Sequence, residues 1–309
     1  MNIHQFISLT NFFLKNLKSL SSTPPKNLTE RDSLTYDEYI PRHKTINTVI
    51  VLHGMTINGR KDKRLIHFCR ILASSGIYAI VPEITGLSKG NFEKNDIINL
   101  KNIINKKQPI GLIGFSFGGS YGLVCACDPE IASKLRFIIT FGAYYSISDI
   151  ICEWKKWSDK DIITDIEIDS RIYVILFLAY NNMLQEREYI KSLLERYCYD
   201  ATIEEKKKIY FEKLSDYNFK LDFDKSLLDY LSPSGKLHFC KAKVNLIHDN
   251  CDTLIPPNQS KLIYNDLKKY SPSAQHNLLL TSLISHVSIN KINFHEIFQL
   301  YKLIQPLFS

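Results

Sequence analysis

Pro109-Ile-Gly-Leu-Ile-Gly-Phe-Ser-Phe-Gly-Gly-Ser-Tyr-Gly-Leu-Val-Cys-Ala126 is the stretch on which the fold turns. Its first part, Pro109 to Ile113, is a short apolar run of the kind that forms a strand buried on both faces. Its last part, Ser120 to Ala126, is rich in small residues and reads as a helix. Between them lies Gly114-Phe115-Ser116-Phe117-Gly118. A turn straight from strand to helix is so tight that its central residue takes strained dihedrals. Neighbouring side chains would collide there, which accounts for glycine at positions 114 and 118. The turn lifts the Ser116 hydroxyl above the sheet edge at the start of the helix. Free N–H groups and the helix dipole favour a developing negative charge at that point. A chance Gly/Ser turn explains the residues but not the strand before and the helix after, so Ser116 is a candidate nucleophile.

Outward from this motif the chain alternates. Thr48 to Leu52 is a β-branched and apolar strand ending at His53-Gly54. Leu65, Phe68, Ile71 and Leu72 give Lys63 to Ser75 helical spacing, and Gly76 stops it. Tyr78 to Val81 is a strand halted by Pro82, Asp96 to Lys106 a helix, and Arg136 to Phe141 a strand ending at Gly142. Residues 33–43 hold one extended segment. This order predicts an α/β fold: a mostly parallel central sheet with helices on both faces.

From about residue 150 to 235 the strand signals stop. Leu184 to Tyr197 and Ile203 to Leu214 read as helices. The apolar run Ile172 to Leu178 reads either as the packing face of a buried helix or as one wall of an apolar substrate pocket. After Pro233-Ser234-Gly235 the alternation resumes: strand Val244 to Ile247, helix Ser260 to Lys269, strand Asn277 to Leu280, helix Phe294 to Ile304. The predicted organisation is a core of residues 47–150 and 236–309, a helical insertion at 151–235, and a lead-in at 1–46. In that lead-in Phe6, Leu9, Phe13, Leu17 and Leu20 recur three or four apart, an amphipathic helix that packs on the fold or lies on a membrane surface. Lys15 and Lys18 interrupt it and no basic region precedes it, which argues against a cleaved signal peptide. No apolar run reaches the ~18 residues of a membrane-crossing helix.

The net charge of +7 is spread along the chain. Its densest patch, Lys206-Lys207-Lys208, follows Glu204-Glu205 and reads as a solvated helix face rather than a nucleic-acid contact. The seven cysteines show no zinc-like double pair, and Cys125 and Cys127 are spaced for neither a metal nor a disulfide. They read as reduced, small apolar residues in a reducing, cytoplasmic compartment.

A serine hydroxyl is a poor nucleophile near neutral pH without a base, and the base needs a carboxylate to orient it. After the Val244–Ile247 strand comes His248-Asp249-Asn250-Cys251-Asp252-Thr253-Leu254-Ile255-Pro256. After the Asn277–Leu280 strand comes Ser285-His286-Val287. Both loops follow strand C-termini, the edge where open α/β sheets bind ligands.

With these residues the chain resembles the serine esterase and lipase branch of the α/β-hydrolase superfamily, over about residues 47–150 and 236–309. The resemblance implies a triad in the chain order serine, acid, histidine. Matching to the family's His-Gly-x-x-Asp-x-x-x-Pro segment gives Asp252 as the acid. Asp249 stands where that segment usually has glycine and is the alternative acid. His286 matches the base; His276 precedes the last strand and His295 opens the last helix, so both fit less well. The oxyanion hole falls to the backbone N–H groups of Phe117 and of Met55 in His53-Gly54-Met55-Thr56, a loop without the triple glycine of one lipase group. His53 orients that loop. Pro82-Glu83-Ile84-Thr85-Gly86 resembles the family's Pro-Asp-x-x-Gly loop, with Glu83 structural. Serine at 116, rather than cysteine or aspartate, sets the chain apart from the dienelactone hydrolases and the dehalogenases. Residues 151–235 fall where many members carry a helical cap; Tyr144, Tyr145, Trp154 and Trp157 are candidates for pocket lining or for plain packing. The implied activity is cleavage of a small-molecule or lipid acyl ester through an acyl-enzyme, with no metal, no organic cofactor and no nucleic acid. An acyltransferase or thioesterase uses the same intermediate, and a non-catalytic binding module uses the same fold.

Overall fold

A computed structural model describes residues 26–29, 35–42, 44–154, 165–181, 184, 186–214, 224–271, 273–282, 284–285, 288–289 and 294–308. The expected helix at 1–22, Trp157 and His286 lie outside the described residues.

Eight strands form one sheet: β1 (Lys26–Thr29), β2 (Thr35–Tyr39), β3 (Asn47–Leu52), β4 (Ile77–Pro82), β5 (Gly111–Phe115), β6 (Phe137–Phe141), β7 (Lys243–Asp249) and β8 (Asn277–Thr281). Their spatial order is β1-β2-β4-β3-β5-β6-β7-β8. The pairs from β4 across to β8 are parallel, while β2 runs antiparallel to β4 and β1 antiparallel to β2. The two short strands β9 (Ile284–Ser285) and β10 (Ser288–Ile289) pair antiparallel apart from this sheet.

Side chains alternate between two cores, as strand geometry requires. Val49, Val51, Ile113, Ile139 and Ile247 pack on one face with helix α1 (Lys63–Ser74). Ile50, Leu52, Leu112, Ile138, Val244 and Leu246 face the other way. That second face carries α3 (Lys94–Lys107) and α4 (Phe117–Ala126), with α2 (Thr85–Lys89) before them and α5 (Pro129–Ala132) after. Among the described residues, five α-helices lie between β6 and β7: α6 (Ile147–Trp154), α7 (Asp165–Tyr180), α8 (Arg187–Asp200), α9 (Ile203–Ile209) and α10 (Lys225–Leu231). The expected helix to Leu214 changes after Ile209 into a wider π-type turn, Tyr210–Leu214. Helix α11 (Asn258–Tyr270) follows β7 and α12 (Phe294–Ile304) ends the fold. Asn245 anchors that end, donating to the Leu303 carbonyl (2.6 Å) and accepting from Asn277 (2.8 Å) inside the sheet.

The strand order fixes where a site can form. The chain steps from β3 outward to β4, then crosses back over β3 to β5. Connections of opposite direction leave a crevice at the C-terminal ends of β3 and β5, the topological switch point. The His53 loop leaves β3 there and Ser116 leaves β5.

The lead-in adds a feature that the sequence pattern did not announce. β2 buries two carboxylates, Asp37 (fully) and Glu38. Asp37 is held by Arg60 Nη1 at 2.6 Å and Lys61 Nζ at 2.8 Å; Glu38 accepts from Lys107 Nζ at 3.1 Å and from the Tyr78 hydroxyl. A buried charge needs such partners to be tolerated. Here they tie β2 to the loop after β3, to β4 and to the end of α3.

Candidate active site

Ser116 is the residue between β5 and α4, with φ 51° and ψ −125°. A non-glycine residue at positive φ is strained, and such strain persists only where the surroundings over-determine it. The surroundings are visible. The Ser116 N–H donates to the Phe141 carbonyl at 2.6 Å, and the Gly119 N–H returns to the Ser116 carbonyl at 3.0 Å. A Cβ on Gly114 would lie 2.4 Å from the Gly119 Cα, and one on Gly118 2.2 Å from the His53 carbonyl oxygen. Both glycines are therefore required by contact. The Ser116 side chain packs beside Gly54, and the residue keeps 8% of its surface.

Phe117 is the first residue of α4, so its N–H has no helical carbonyl to meet. Met55 follows β3 in the facing loop. His53 shapes that loop, as expected. Its Nε2 accepts the Ile84 N–H at 2.9 Å, which puts the ring proton on Nδ1, 2.8 Å from the Gly54 carbonyl. Burial lowers the His53 pKa and keeps the ring neutral. Glu83 anchors the other side through Arg60, its Oε2 3.4 Å from Arg60 Nε, which agrees with a structural role.

The two candidate acids sit differently. Asp249 ends β7, is partly exposed, and accepts the Cys251 N–H at 2.9 Å. Asp252 is buried; its Oδ1 accepts the Leu254 N–H at 2.9 Å and the Ile255 N–H at 3.0 Å. Its Oδ2 is turned the other way, 3.5 Å from His248 Nε2 and 3.6 Å from where a Cβ on Gly142 would stand. Gly142 directly follows Phe141, the residue that holds the Ser116 amide. Asp252 is thus two strands across from Ser116, with the end of β6 between them. His248 is used inside the loop: Nε2 donates to the Ile255 carbonyl and Nδ1 pairs with the Ser260 hydroxyl, both at 2.7 Å.

The sequence-expected base, His286, lies outside the described residues. The described strands before and after it, β9 and β10, pair with one another, and β9 lies beside β7, the strand that leads to Asp252. His276 is buried at the start of β8 and accepts the Val244 N–H at 3.1 Å. Val244 is near the beginning of β7, so His276 is at the sheet edge opposite Ser116.

Aromatic rings surround Phe117. Tyr144 is 4.9 Å away between centroids, Phe177 of α7 5.9 Å and Phe92 6.0 Å. The buried apolar run of α7 thereby packs on the residue after Ser116. Asn181 clamps the same place, donating to the Gly90 carbonyl (2.5 Å) and accepting the Phe92 N–H (2.6 Å). Trp154 is buried, and its indole N–H donates to the Leu254 carbonyl at 2.7 Å. Tyr145 is partly buried, with its hydroxyl 3.2 Å from Asp266. Sequence reasoning missed Asn181 and the partner of Trp154, because both contacts span about a hundred residues or nearly so.

Among the described residues no helix is long and apolar enough to cross a membrane. Cys69, Cys125, Cys127, Cys152, Cys240 and Cys251 carry free thiols.

No family model matches the sequence, and no curated protein matches it significantly. Solved structures do resemble the fold. An acylaminoacyl peptidase of Pyrococcus horikoshii superposes with a TM-score of 0.55 at 15% identity, covering 95% of this chain and 42% of the peptidase. The chain therefore spans less than half the length of that peptidase. An esterase of Pyrococcus furiosus superposes with a TM-score of 0.54 at 12% identity, covering 96% of this chain and 94% of the other. The esterase domain of a Rhodothermus marinus protein gives 0.50 at 14% identity, covering 92% and 96%. The chain has the α/β-hydrolase fold.

Proposed function

We propose that this protein is a serine hydrolase that cleaves a carboxylic ester through an acyl-enzyme. The observation that carries the reading is the backbone of Ser116: a non-glycine residue at φ 51° on a strand–turn–helix junction, walled in by two glycines that cannot be replaced without collision. On this reading His286 takes the Ser116 proton and Ser116 attacks the ester carbonyl. The Phe117 and Met55 amides hold the oxyanion. Asp252, its Oδ1 fixed by two loop N–H groups, turns Oδ2 to the imidazolium and steadies it. The proton then passes to the leaving alcohol, and water releases the acyl group by the same route. Phe177, Phe92 and Tyr144, ringed around Phe117, support an apolar acyl group as substrate.

The test is labelling of the full chain with a fluorophosphonate probe, beside turnover of a chain-length series of p-nitrophenyl esters. Ester and amide hydrolysis share this intermediate, so the matching p-nitroanilides are included. Ser116-dependent labelling and ester turnover are expected, both lost in Ser116→Ala. Folded protein that neither labels nor turns over any ester sinks the proposal.

A further inference from the structure

The indole of Trp154 lies at the end of α6, in the segment between β6 and β7, yet its polar atom is spent on the loop of Asp252. Its N–H donates 2.7 Å to the Leu254 carbonyl, a contact between residues 100 apart in the chain. That carbonyl shares its peptide plane with the Ile255 N–H, which donates to Asp252 Oδ1 at 3.0 Å; the Leu254 N–H, across the Cα in the preceding peptide, donates to the same oxygen at 2.9 Å. Indole, the Leu254–Ile255 peptide and the carboxylate thus form one chain of hydrogen bonds. Hydrogen bonds in series through a peptide unit polarise one another, and the peptide plane transmits orientation. The loop has other attachments nearer its ends: His248 to the Ile255 carbonyl and to Ser260, and Gln259, which accepts the Tyr145 and Ser146 N–H groups at 2.9 and 3.0 Å. Leu254 is partly buried and lies at the crest of that span, where Trp154 holds it from outside the loop.

We infer that Trp154 is a positioning residue for Asp252: its indole N–H, acting through the Leu254–Ile255 peptide, sets the direction of the carboxylate. The inference rests on the proposed triad. It makes the helix after β6 part of the acid's support, so that a displacement of α6 is felt at Asp252.

Two substitutions separate the N–H from the bulk of the ring. Trp154→Phe keeps a large apolar ring and removes the donor. Trp154→His loses the benzo ring but keeps a ring nitrogen two bonds from Cγ, where the indole nitrogen stood. If the donor matters, ester turnover falls in the order Trp, His, Phe, with Trp154→Phe losing about 10-fold in kcat and little in KM. If only packing matters, the order of the two variants reverses, and that result overturns the inference. In an Asp252→Asn background Trp154→Phe is expected to have no further effect on kcat; a full additional 10-fold loss there also overturns it. Hydrogen exchange of the Leu254 and Ile255 amides gives a reading that needs no turnover. Both are expected to lose protection in Trp154→Phe while Leu246 and Ile247 keep theirs, and unchanged protection refutes the hold on the loop. If Ser116→Ala leaves wild-type turnover intact, the triad reading fails and takes the catalytic half of the inference with it. The exchange data still decide whether Trp154 holds the loop.

Discussion

Gly118→Ala is the sharpest probe of the proposed oxyanion site, because intrinsic propensity and contact pull it in opposite directions. In a helix interior alanine is favoured over glycine by about 1 kcal/mol. Gly118, however, is in the first turn of α4 against the end of β3, and an added Cβ would stand 2.2 Å from the His53 carbonyl oxygen and 2.9 Å from the Leu52 carbonyl oxygen. Both are backbone atoms of a strand end, so no side chain can swing aside. Restoring an ordinary carbon–oxygen contact takes a displacement of about 1 Å. Overpacking of this kind costs about 1–3 kcal/mol, which offsets the propensity gain and leaves the fold intact but a little weaker. The catalytic cost is larger. Phe117 immediately precedes the substitution and Met55 is two residues beyond His53, so the wedge drives the two proposed donors apart. A 1 Å misplacement is worth about 100-fold in rate. The expected result is kcat lowered about 100-fold on a p-nitrophenyl ester, with a melting temperature within about 5 °C of wild type. Gly122→Ala is the control in the same helix: its Cβ would meet the Leu52 Cδ1 at 3.2 Å, a side-chain atom able to yield. A Gly118→Ala enzyme within about threefold of wild-type kcat would refute the assignment of the donors.

Asp252→Asn is expected to lower kcat by about 10³–10⁴-fold, whereas Asp249→Asn, which keeps an oxygen acceptor for the Cys251 N–H, stays within about threefold; the reverse order would move the acid to Asp249. Asn181→Ala removes hydrogen bonds to Gly90, Phe92 and the Phe177 carbonyl, so stability falls by about 2–3 kcal/mol and the melting temperature by about 3–5 °C, against less than about 1 °C if the clamp carries nothing. Burial pushes the Asp96 carboxyl up to about 7, and its Oδ2 has no hydrogen-bond partner among the described residues. A raised carboxyl favours the fold while protonated, so its contribution is full below about pH 4 and is lost as pH rises through 7. The stability of Asp96→Asn relative to wild type therefore grows by about 2–3 kcal/mol between pH 5 and pH 8 in paired denaturant titrations, and a pH-independent difference would refute the buried charge.

What the sequence made legible was whatever local geometry dictates. Strands β3 to β7 are short, largely apolar runs because each is buried on both faces, and a two-sided strand has no polar alternation to confuse with a loop. The serine turn was legible because contact forbids any side chain at 114 or 118. β2 was legible only as an extended segment, and β1 not at all: nothing local marks Asp37 and Glu38 as buried, and the cations that let them be buried come from residues 60, 61 and 107. Between Asp249 and Asp252 the motif favoured Asp252; what it did not show is that the Leu254 and Ile255 amides hold that carboxylate.

The long-range contacts have a common direction. Phe177 sits on Phe117, Asn181 clamps the Gly90–Phe92 segment beside it, and Trp154 holds Leu254 next to Asp252. Each joins a residue between β6 and β7 to one neighbouring a proposed triad or oxyanion group. Closely packed interiors transmit displacement rather than absorb it. A residue that shapes the acyl site from this segment therefore also bears on the amide of Phe117 or the carboxylate of Asp252. Binding and chemistry cannot then vary independently: substitutions at Phe177 that enlarge the site for longer acyl chains should lower kcat on short ones, through the loosened Phe117 amide, as well as raise KM. A Phe177→Ala enzyme that gains long-chain turnover with unchanged short-chain kcat would show that the packing around Phe117 is not part of the catalytic support.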